Sequence, residues 1–581
     1  MDNAGIARIL REIADLLEIK NDNAFKIRAY RNGADIAANH PHHLASLDAV
    51  GLREIPGIGK DLAARIREIA ETGGAEYHRE LAAEFPPSVL DMLHLQGVGP
   101  KTVATLYREL GVRTLEDLQQ AAVGGRIRAL RGMGAKKEAL ILKALEERQR
   151  FAGRHLVSKA HDASVALLAF LRERAPEASI EAVGSLRRGC ETCGDLDLLA
   201  SGAAPTLMDE FVSYELVERV LGHGDTKSSV LLRGGFQADL RLVAPESRGA
   251  AMQYFTGSKT HNIALRDRAI GRDCKLNEYG LFRVEDDVRL AGATEEEIYE
   301  ALGLAWIPPE LREGRGEIEA ALAGQLPRLV DQADLRGDLH MHTTETDGKD
   351  DLRTMAEAAR EAGLDYIAIT DHSQSLAMAN GLDEHRALAH AARIRALDGQ
   401  IDGLRVLAGI ECDIKPDGTL DLADDCLAAL DIVVASVHSA FNQDRQQMTD
   451  RVLRALENPN VDVLGHPTGR LILKREPYPI DVEAVVGRAA QVGAAIEINS
   501  QAHRLDLSDV HARLARDRGV RLVISSDAHS RQALGVLRWG VLVARRAWLE
   551  PGDILNTRPF DAFKAALRRN RPGVRGQAGA R

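Results

Sequence analysis

Two aspartates one residue apart, Asp195 and Asp197, lie near the end of the stretch GSLRRGCETCGDLDLL, residues 184–199. On a strand the side-chain period of two puts both carboxylates on one face and turns Leu196 and Leu198 the other way, into a core. Adjacent carboxylates repel unless a cation lies between them. Hard oxygen donors of this kind suit Mg²⁺, which favours carboxylates together with substrate phosphates. A third acid with apolar neighbours, Asp239 in FQADLRLV, extends the set. Just upstream, a glycine turn, the Ser185 hydroxyl and the Arg188 guanidinium are fitting ligands for a triphosphate. The same stretch holds Cys190 and Cys193, but a structural zinc site needs four ligands. No second CxxC exists, and Cys274, Cys412 and Cys426 stand alone. The carboxylates, not the thiols, carry the chemistry.

A second set is spread over the C-terminal half. DLHMHT places His340 and His342 on one side of a strand end, and TETDG supplies Asp347. Successive apolar runs then end in His372, Glu411, His438, His466 and the pair Asp527 and His529. In a β/α barrel all of these converge on one mouth, the C-terminal face where active sites sit. Six histidines and three carboxylates are too many for one ion and right for two or three. Mixed nitrogen and oxygen donors suit Mn²⁺, Zn²⁺ or Fe²⁺ rather than Mg²⁺. Clustered ions with an open position generate hydroxide and hold a phosphate for hydrolysis. Arg470, Lys474 and Arg504 are nearby candidates for phosphate binding.

A third pattern repeats in LREIPGIGKDLAARI, LHLQGVGPKTVATLY and RALRGMGAKKEALIL. Each reads as a helix, a Gly-x-Gly turn and a second helix, with central glycines Gly57/Gly59, Gly97/Gly99 and Gly132/Gly134. Two glycines permit a tight turn and close backbone approach. The free N–H groups of the following helix then point at an anion. A nucleic-acid phosphate suits such a site and carries no sequence information. One such turn is ordinary capping; three with the same flanks predict binding to a DNA backbone.

The elements that must position these groups follow from periodicity. Residues 1–150 read as helical, with apolar residues at helical spacing in IARILREIADLLEI and DLAARIREIAETG. Residues 155–320 are α+β, with strand-like SIEAVGS, DLDLLA, KSSVLL and FQADLRLVA. From residue 334, the strands YIAIT, RVLAGI, DIVVASV, VDVLG, AAIEIN and RLVISS alternate with helices, including 352–362, 445–456, 482–492 and 508–518. That alternation predicts a parallel sheet closed into a barrel. GRGEIEAALAGQLPRLVDQADL links the halves, and RPGVRGQAGAR reads as a flexible basic tail. The net charge of −11 argues against a broad nucleic-acid surface, so DNA contact must rest on local geometry and bound metals. No segment approaches the ~20 apolar residues of a membrane span. An amphipathic N-terminal helix and only five cysteines lead to the expectation of no secretory signal, no disulfide framework and a cytoplasmic location.

GSLRRGCETCGDLDLL, ADLRL and YFTGSKTHNIALR together resemble the X family of DNA polymerases, whose best-known member is DNA polymerase beta; the similarity covers roughly residues 1–320 and includes WIPPELREGRGEIEAAL. The resemblance implies that Asp195, Asp197 and Asp239 hold two Mg²⁺ ions, with Asp239 nearest the primer 3′-hydroxyl. It implies triphosphate binding by Ser185, Arg188 and Gly194, sugar packing by Tyr254 and Phe255, and close approach at Gly257. Asn262 would face the minor-groove edge of the incoming base and Arg266 the template strand. The position of polymerase beta's Schiff-base lysine is occupied by Arg65, whose guanidinium stays protonated and cannot form that imine, so lyase activity by this route is expected to be weak or absent. Lys60 and Lys26 are the remaining substitutes.

The histidine-rich half, about residues 334–575, resembles the PHP domain, the polymerase-and-histidinol-phosphatase superfamily, with all nine ligand positions occupied. By that resemblance His340, His342, Glu411 and Asp527 hold one Mn²⁺ or Zn²⁺ ion. Glu411, His438 and His466 hold a second, and Asp347, His372 and His529 a third.

The fold expected is therefore multidomain: an all-α helix–hairpin–helix region (1–150), an α+β nucleotidyltransferase palm (151–240) and thumb (241–318), a linker (319–333), and a barrel-like α/β PHP domain (334–575). The function expected is gap-filling addition of dNTPs to a primer 3′ end on gapped or nicked duplex, joined to metal-dependent 3′→5′ exonuclease or 3′-end cleaning, with cleavage at abasic sites as a further option. A monomeric, nucleoid-associated bacterial protein is expected. The rival readings are a small-molecule phosphatase fused to a nucleotidyltransferase that needs no template, and a DNA-binding scaffold with a vestigial metal centre.

Overall fold

The stripe Ile6, Ile9, Leu10, Ile13, Leu16 and Leu17 is wholly buried along one face of the helix Asn3–Lys20. Helices Ala24–Asn39, Ala49–Glu54, Lys60–Thr72 and Glu76–Ala83 close one core around it. Helices Pro100–Leu110, Leu115–Val123 and Ala135–Phe151 build a second. The computed structural model describes residues 3–39, 44–86, 89, 92, 93, 95, 98–151 and 153–570. The chain divides into two units, residues 1–152 and 153–581.

The described parts of the turns between these helices share one construction. Gly57 and Gly132 adopt φ of 93° and 81°, which glycine alone takes readily. The middle residues Ile58, Val98 and Met133 plug into the cores. Gly59 and Gly99 cap the next helix without a side-chain bond, and a Cβ placed at Gly59, Gly99 or Gly134 would meet nothing within 4 Å. Gly97 lies outside the described residues. The third repeat corrects the expectation of two helices. Before Gly132 the chain makes only i+3 turns, Leu130 to Ile127 and Met133 to Leu130. Gly124 and Gly125 end the preceding helix, leaving too few residues for another.

In the second unit, β1 (His155–Leu156) pairs antiparallel with β3 (Thr192–Cys193). A mixed sheet of β2 (Ser179–Ala182), β4 (Asp195–Ser201), β5 (Val217–Gly222), β6 (Lys227–Leu232) and β7 (Gln237–Val243) has the order β2-β4-β7-β6-β5. Only β4 and β7 run parallel within it. Helices Val157–Arg174 and Leu207–Val212 cover the sheet. β5 was not foreseen: it is an edge strand with mostly exposed side chains, so it lacks apolar alternation. The segment SIEAVGS is strand only to Ala182; a short helix, Gly184–Arg187, follows. β8 (Cys274–Asn277), β9 (Gly280–Arg283) and β10 (Arg289–Ala291) form an antiparallel sheet beside helices Arg248–Thr256, Lys259–Ile270 and Glu295–Ala301.

Seven parallel strands follow in sequence order: β11 (Gly337–Asp338), β12 (Tyr366–Ile369), β13 (Arg405–Asp413), β14 (Ile432–Ser436), β15 (Val463–Leu464), β16 (Ala495–Asn499) and β17 (Leu522–Ser525). The Met341–Ala528 bridge and the His342 amide bond to the Ala528 carbonyl at 2.8 Å join the first and last segments, closing the ring. The predicted helices fall at Leu352–Glu361, Arg445–Glu457, Val482–Val492 and Asp509–Asp517. The linker is packed: Leu329 enters the core of the β8–β10 region and Val330 that of the barrel. The tail predicted at residues 571–581 lies outside the described residues.

Candidate active sites

Strand register brings the first carboxylate set together. Asp197 stands opposite Asp239 on the parallel strands β4 and β7, and Asp195 lies two residues before it on the same face. Burial, then the charges of Asp195 and Asp239, push the Asp197 carboxyl up to about 6. A divalent cation would remove that conflict, and the all-oxygen donor set fits a hard ion. Asp239 accepts from Gln237 Nε2 at 3.0 Å and pairs with Lys227 at 3.2 Å. Gly184, with φ of 65°, packs directly on this site; a Cβ there would sit 2.4 Å from Asp197 Oδ2.

The short helix Gly184–Arg187 and helix Arg248–Thr256, which carries Tyr254 and Phe255, both pack against β4. Gly184 and Ser185 open the short helix after β2, and Gly194 precedes β4. Arg188 donates to the Thr256 carbonyl at 2.5 Å and lies 3.4 Å from the Cβ position of Gly257. Tyr254 and Phe255 make an edge contact at 5.1 Å, and Arg241 covers the Phe255 ring at 4.4 Å. Asn262 accepts from Gln253 and donates to the Tyr254 carbonyl, both at 2.7 Å, while Arg266 is exposed one helical turn further on.

At the barrel mouth all nine sequence candidates meet. Three groups have donor atoms within 4.8 Å of one another: His342, Asp347, His372 and His529; His340, His342 and Asp527; and His372, Glu411 and His438. Glu411 is the hub, with His372 at 2.8 Å, His466 at 2.9 Å, His340 and His438 at 3.3 Å and His342 at 3.6 Å. The grouping differs from the expected partition: His342 and His372 each belong to two groups, Glu411 groups with His372 and His438 rather than with His340 and Asp527, and His466 joins through Glu411 alone. His340 Nε2, both nitrogens of His342, His372 Nδ1 and Glu411 Oε2 are buried and crowded, with His372 Nδ1 only 2.8 Å from Glu411 Oε2, yet none is aligned for a hydrogen bond. Orphaned donor atoms so crowded are costly unless they bind ions, so the site fits divalent metals. Burial pushes the Glu411 carboxyl up, and His438, His340 and His372 more than reverse that, holding it well below the carboxylate range. His466 and Asp527 sit at φ of 25° and 50°, strain of about 1 kcal/mol or more each that surrounding structure must hold.

Sequence reasoning missed the residues that orient these rings. Glu497 accepts from His340 Nδ1 at 2.8 Å, Asp413 from His438 Nδ1 at 2.8 Å, and Asn499 donates to Asp527 at 3.0 Å. Such partners fix ring tautomer and raise ligand basicity. The strand period could have found all three: Asp413 is two residues after Glu411, and Glu497 and Asn499 share one face of β16. Asp371, bound to His390 at 2.9 Å and to Thr343, braces the loop after β11. Arg470 is not free for phosphate; it pairs with Glu191 at 2.7 Å and bonds the Leu505 carbonyl. Arg504, 3.9 Å from Asp527, keeps its place at the site.

A carboxylate-bearing mixed sheet beside a histidine-rimmed barrel defines a nucleotidyltransferase joined to a phosphoesterase. Family models agree along the chain: a helix-hairpin-helix domain at residues 1–75, a SAM-like helix-hairpin-helix tandem at 89–147, the DNA polymerase beta thumb at 251–313 and the PHP domain at 338–501. The chain belongs to the X family of DNA polymerases that carry a C-terminal PHP domain: it is 38% identical over 573 residues to the DNA polymerase/3′-5′ exonuclease PolX of Bacillus subtilis (strain 168), covering 98% of this chain and 100% of that one. Over part of its length the chain is also similar to probable phosphatases, 31% identical over 233 residues in Thermoanaerobacter sp. (strain X514) and 32% over 232 in Shewanella sediminis, each match covering 38% of this chain and 89% of the relative. Both catalytic domains depend on divalent metal ions. Among the described residues no helix is long and apolar enough to cross a membrane.

Proposed function

We propose that the chain fills short gaps in duplex DNA with its mixed-sheet site and trims or cleans 3′ ends with its barrel site. The observation that carries this is the pairing of Asp197 with Asp239 beside Asp195 in a chain whose barrel separately gathers eight side chains able to hold metal ions, with His466 on Glu411 as a ninth. Asp195, Asp197 and Asp239 would hold two Mg²⁺ ions; the barrel would hold two or three Mn²⁺ or Zn²⁺ ions. When bound, these ions neutralise phosphate charge and acidify a hydroxyl or water. Asp239 lies nearest the primer 3′-hydroxyl and can accept its proton at a carboxylate oxygen. Ser185, Arg188 and Gly194 grip the triphosphate, Tyr254 and Phe255 pack on the sugar with Gly257 allowing close approach, Asn262 faces the base edge, and Arg266 reaches the template. Gly57, Gly59, Gly97, Gly99, Gly132 and Gly134 let the hairpins take DNA phosphates on free helix N–H groups.

In the barrel, His340, His342 and Asp527, Glu411 with His438 and His466, and Asp347 with His372 and His529 form the ligand set, and Arg504 holds the scissile phosphate. A small-molecule phosphatase is less favoured, because the helix–hairpin–helix units and Asn262/Arg266 would have no role. The reading also proposes a monomer, and a cytoplasmic location with the nucleoid. A labelled single-nucleotide gap offered with and without dNTPs, in Mg²⁺ and then Mn²⁺, tests it: extension with dNTPs and shortening from the 3′ end without them are expected. An intact primer in all four conditions overturns it.

A further inference from the structure

Arg188 answers two demands. Its Nε donates to Glu313 Oε1 at 3.0 Å. On the other side of Glu313 stands Arg546, the last residue of the barrel helix Leu537–Arg546, whose Nη1 donates to that same oxygen and to the Arg188 carbonyl, both at 2.8 Å. Asp509 holds Arg546 from behind, at 3.1 Å from Nε and 3.0 Å from Nη2. Charges therefore alternate from Arg188 through Glu313 and Arg546 to Asp509, across the boundary between the polymerase part and the barrel. Arg546 is 9% exposed, so water screens the chain poorly. A second tie lies three residues beyond Arg188, where Glu191 pairs with the barrel's Arg470.

A carboxylate bonded to Arg188 competes with a triphosphate for the same guanidinium. Burial pushes the Glu313 carboxyl up, but Arg546 and Arg188 together hold it below its ordinary range, so it stays an anion. By donating to the oxygen that faces Arg188, Arg546 draws negative charge away from it. Without Arg546, Arg188 would be the one cation left at that oxygen among the described residues and would be held more tightly.

We propose that Arg546 is a positioning residue for nucleotide binding: by holding Glu313 it keeps Arg188 available to the incoming triphosphate, so the barrel completes the polymerase's nucleotide site. This rests on the triphosphate role of Arg188 in the reading above. The test is titration of the full-length chain on a gapped duplex with the complementary dNTP in Ca²⁺, where binding is read without turnover, for the unaltered chain, Arg546→Gln, Glu313→Gln and the double variant. Arg546→Gln should weaken dNTP binding roughly three- to tenfold. In Mg²⁺ its KM should rise with kcat within about twofold, and the double variant should return to near the unaltered affinity because the competing carboxylate is gone. An unchanged Kd in Arg546→Gln overturns the proposal, as does a double variant no better than Arg546→Gln, since the loss would then come from a disturbed boundary. Primer extension by the unaltered chain reports separately: its absence beside a shifted Kd would overturn the polymerase reading and leave this inference standing.

Discussion

Glu497 aligns two proposed ligands at once, through His340 Nδ1 at 2.8 Å and the His466 amide at 2.7 Å. Its charge raises the basicity of the ring that offers Nε2 to a metal. Glu497→Gln should lower metal occupancy and 3′-trimming about tenfold while leaving primer extension intact; metal analysis beside a nuclease assay checks this, and full occupancy with full activity would contradict it. Arg65 gives the opposite kind of residue-scale expectation, a missing activity. It pairs with Glu68 at 2.6 Å and lies over the Tyr77 ring at 5.1 Å. Its guanidinium cannot become an imine, so borohydride trapping on a 5′-deoxyribose-phosphate end should leave little adduct on the protein. A strong adduct would point to Lys26, which also sits over Tyr77, or to Lys60.

At the scale of the element, the hairpins and the buried thumb charges make separate predictions. Gly59 caps its helix with no side-chain bond and nothing near its Cβ. Gly59→Asp should therefore cap the helix and raise thermal stability slightly, by roughly a few tenths of a kcal/mol, while weakening duplex binding because the new carboxylate meets the phosphate. Affinity and stability moving together would contradict the hairpin's role. Glu295 is 6% exposed, bonded to Arg187 at 2.7 and 2.9 Å and to Arg312 at 2.6 Å. Burial pushes its carboxyl up, but the Arg187 hydrogen bond and Arg312 hold it at about 2 against an ordinary 4.5. A depressed folded value means stability that is complete above pH 4.5 and is lost as pH falls toward 2, worth roughly 3 kcal/mol. Melting curves of Glu295→Gln and the unaltered chain should converge over that interval; a constant gap would contradict the assignment.

Over the whole molecule, legibility followed how local each signal is. Asp195 and Asp197 announce themselves because two residues on one strand share a face, and the barrel ligands because each ends an apolar strand. β5 and the turn before Gly132 escaped because one is an exposed edge and the other is cut short by Gly124 and Gly125. The tie from Arg470 to Glu191 escaped because it joins residues 279 apart, and a surface arginine beside a phosphate site reads as a phosphate ligand until its partner is seen. The central claim is that one chain holds two metal-dependent sites, each with its own ligands and its own reaction. The most direct measurement takes Asp239→Ala and His438→Ala through extension and 3′-trimming on one labelled gapped duplex. The account predicts that Asp239→Ala loses extension by at least about a thousandfold and still trims, while His438→Ala stops trimming and still extends. Either variant losing both activities, or keeping both, would contradict it.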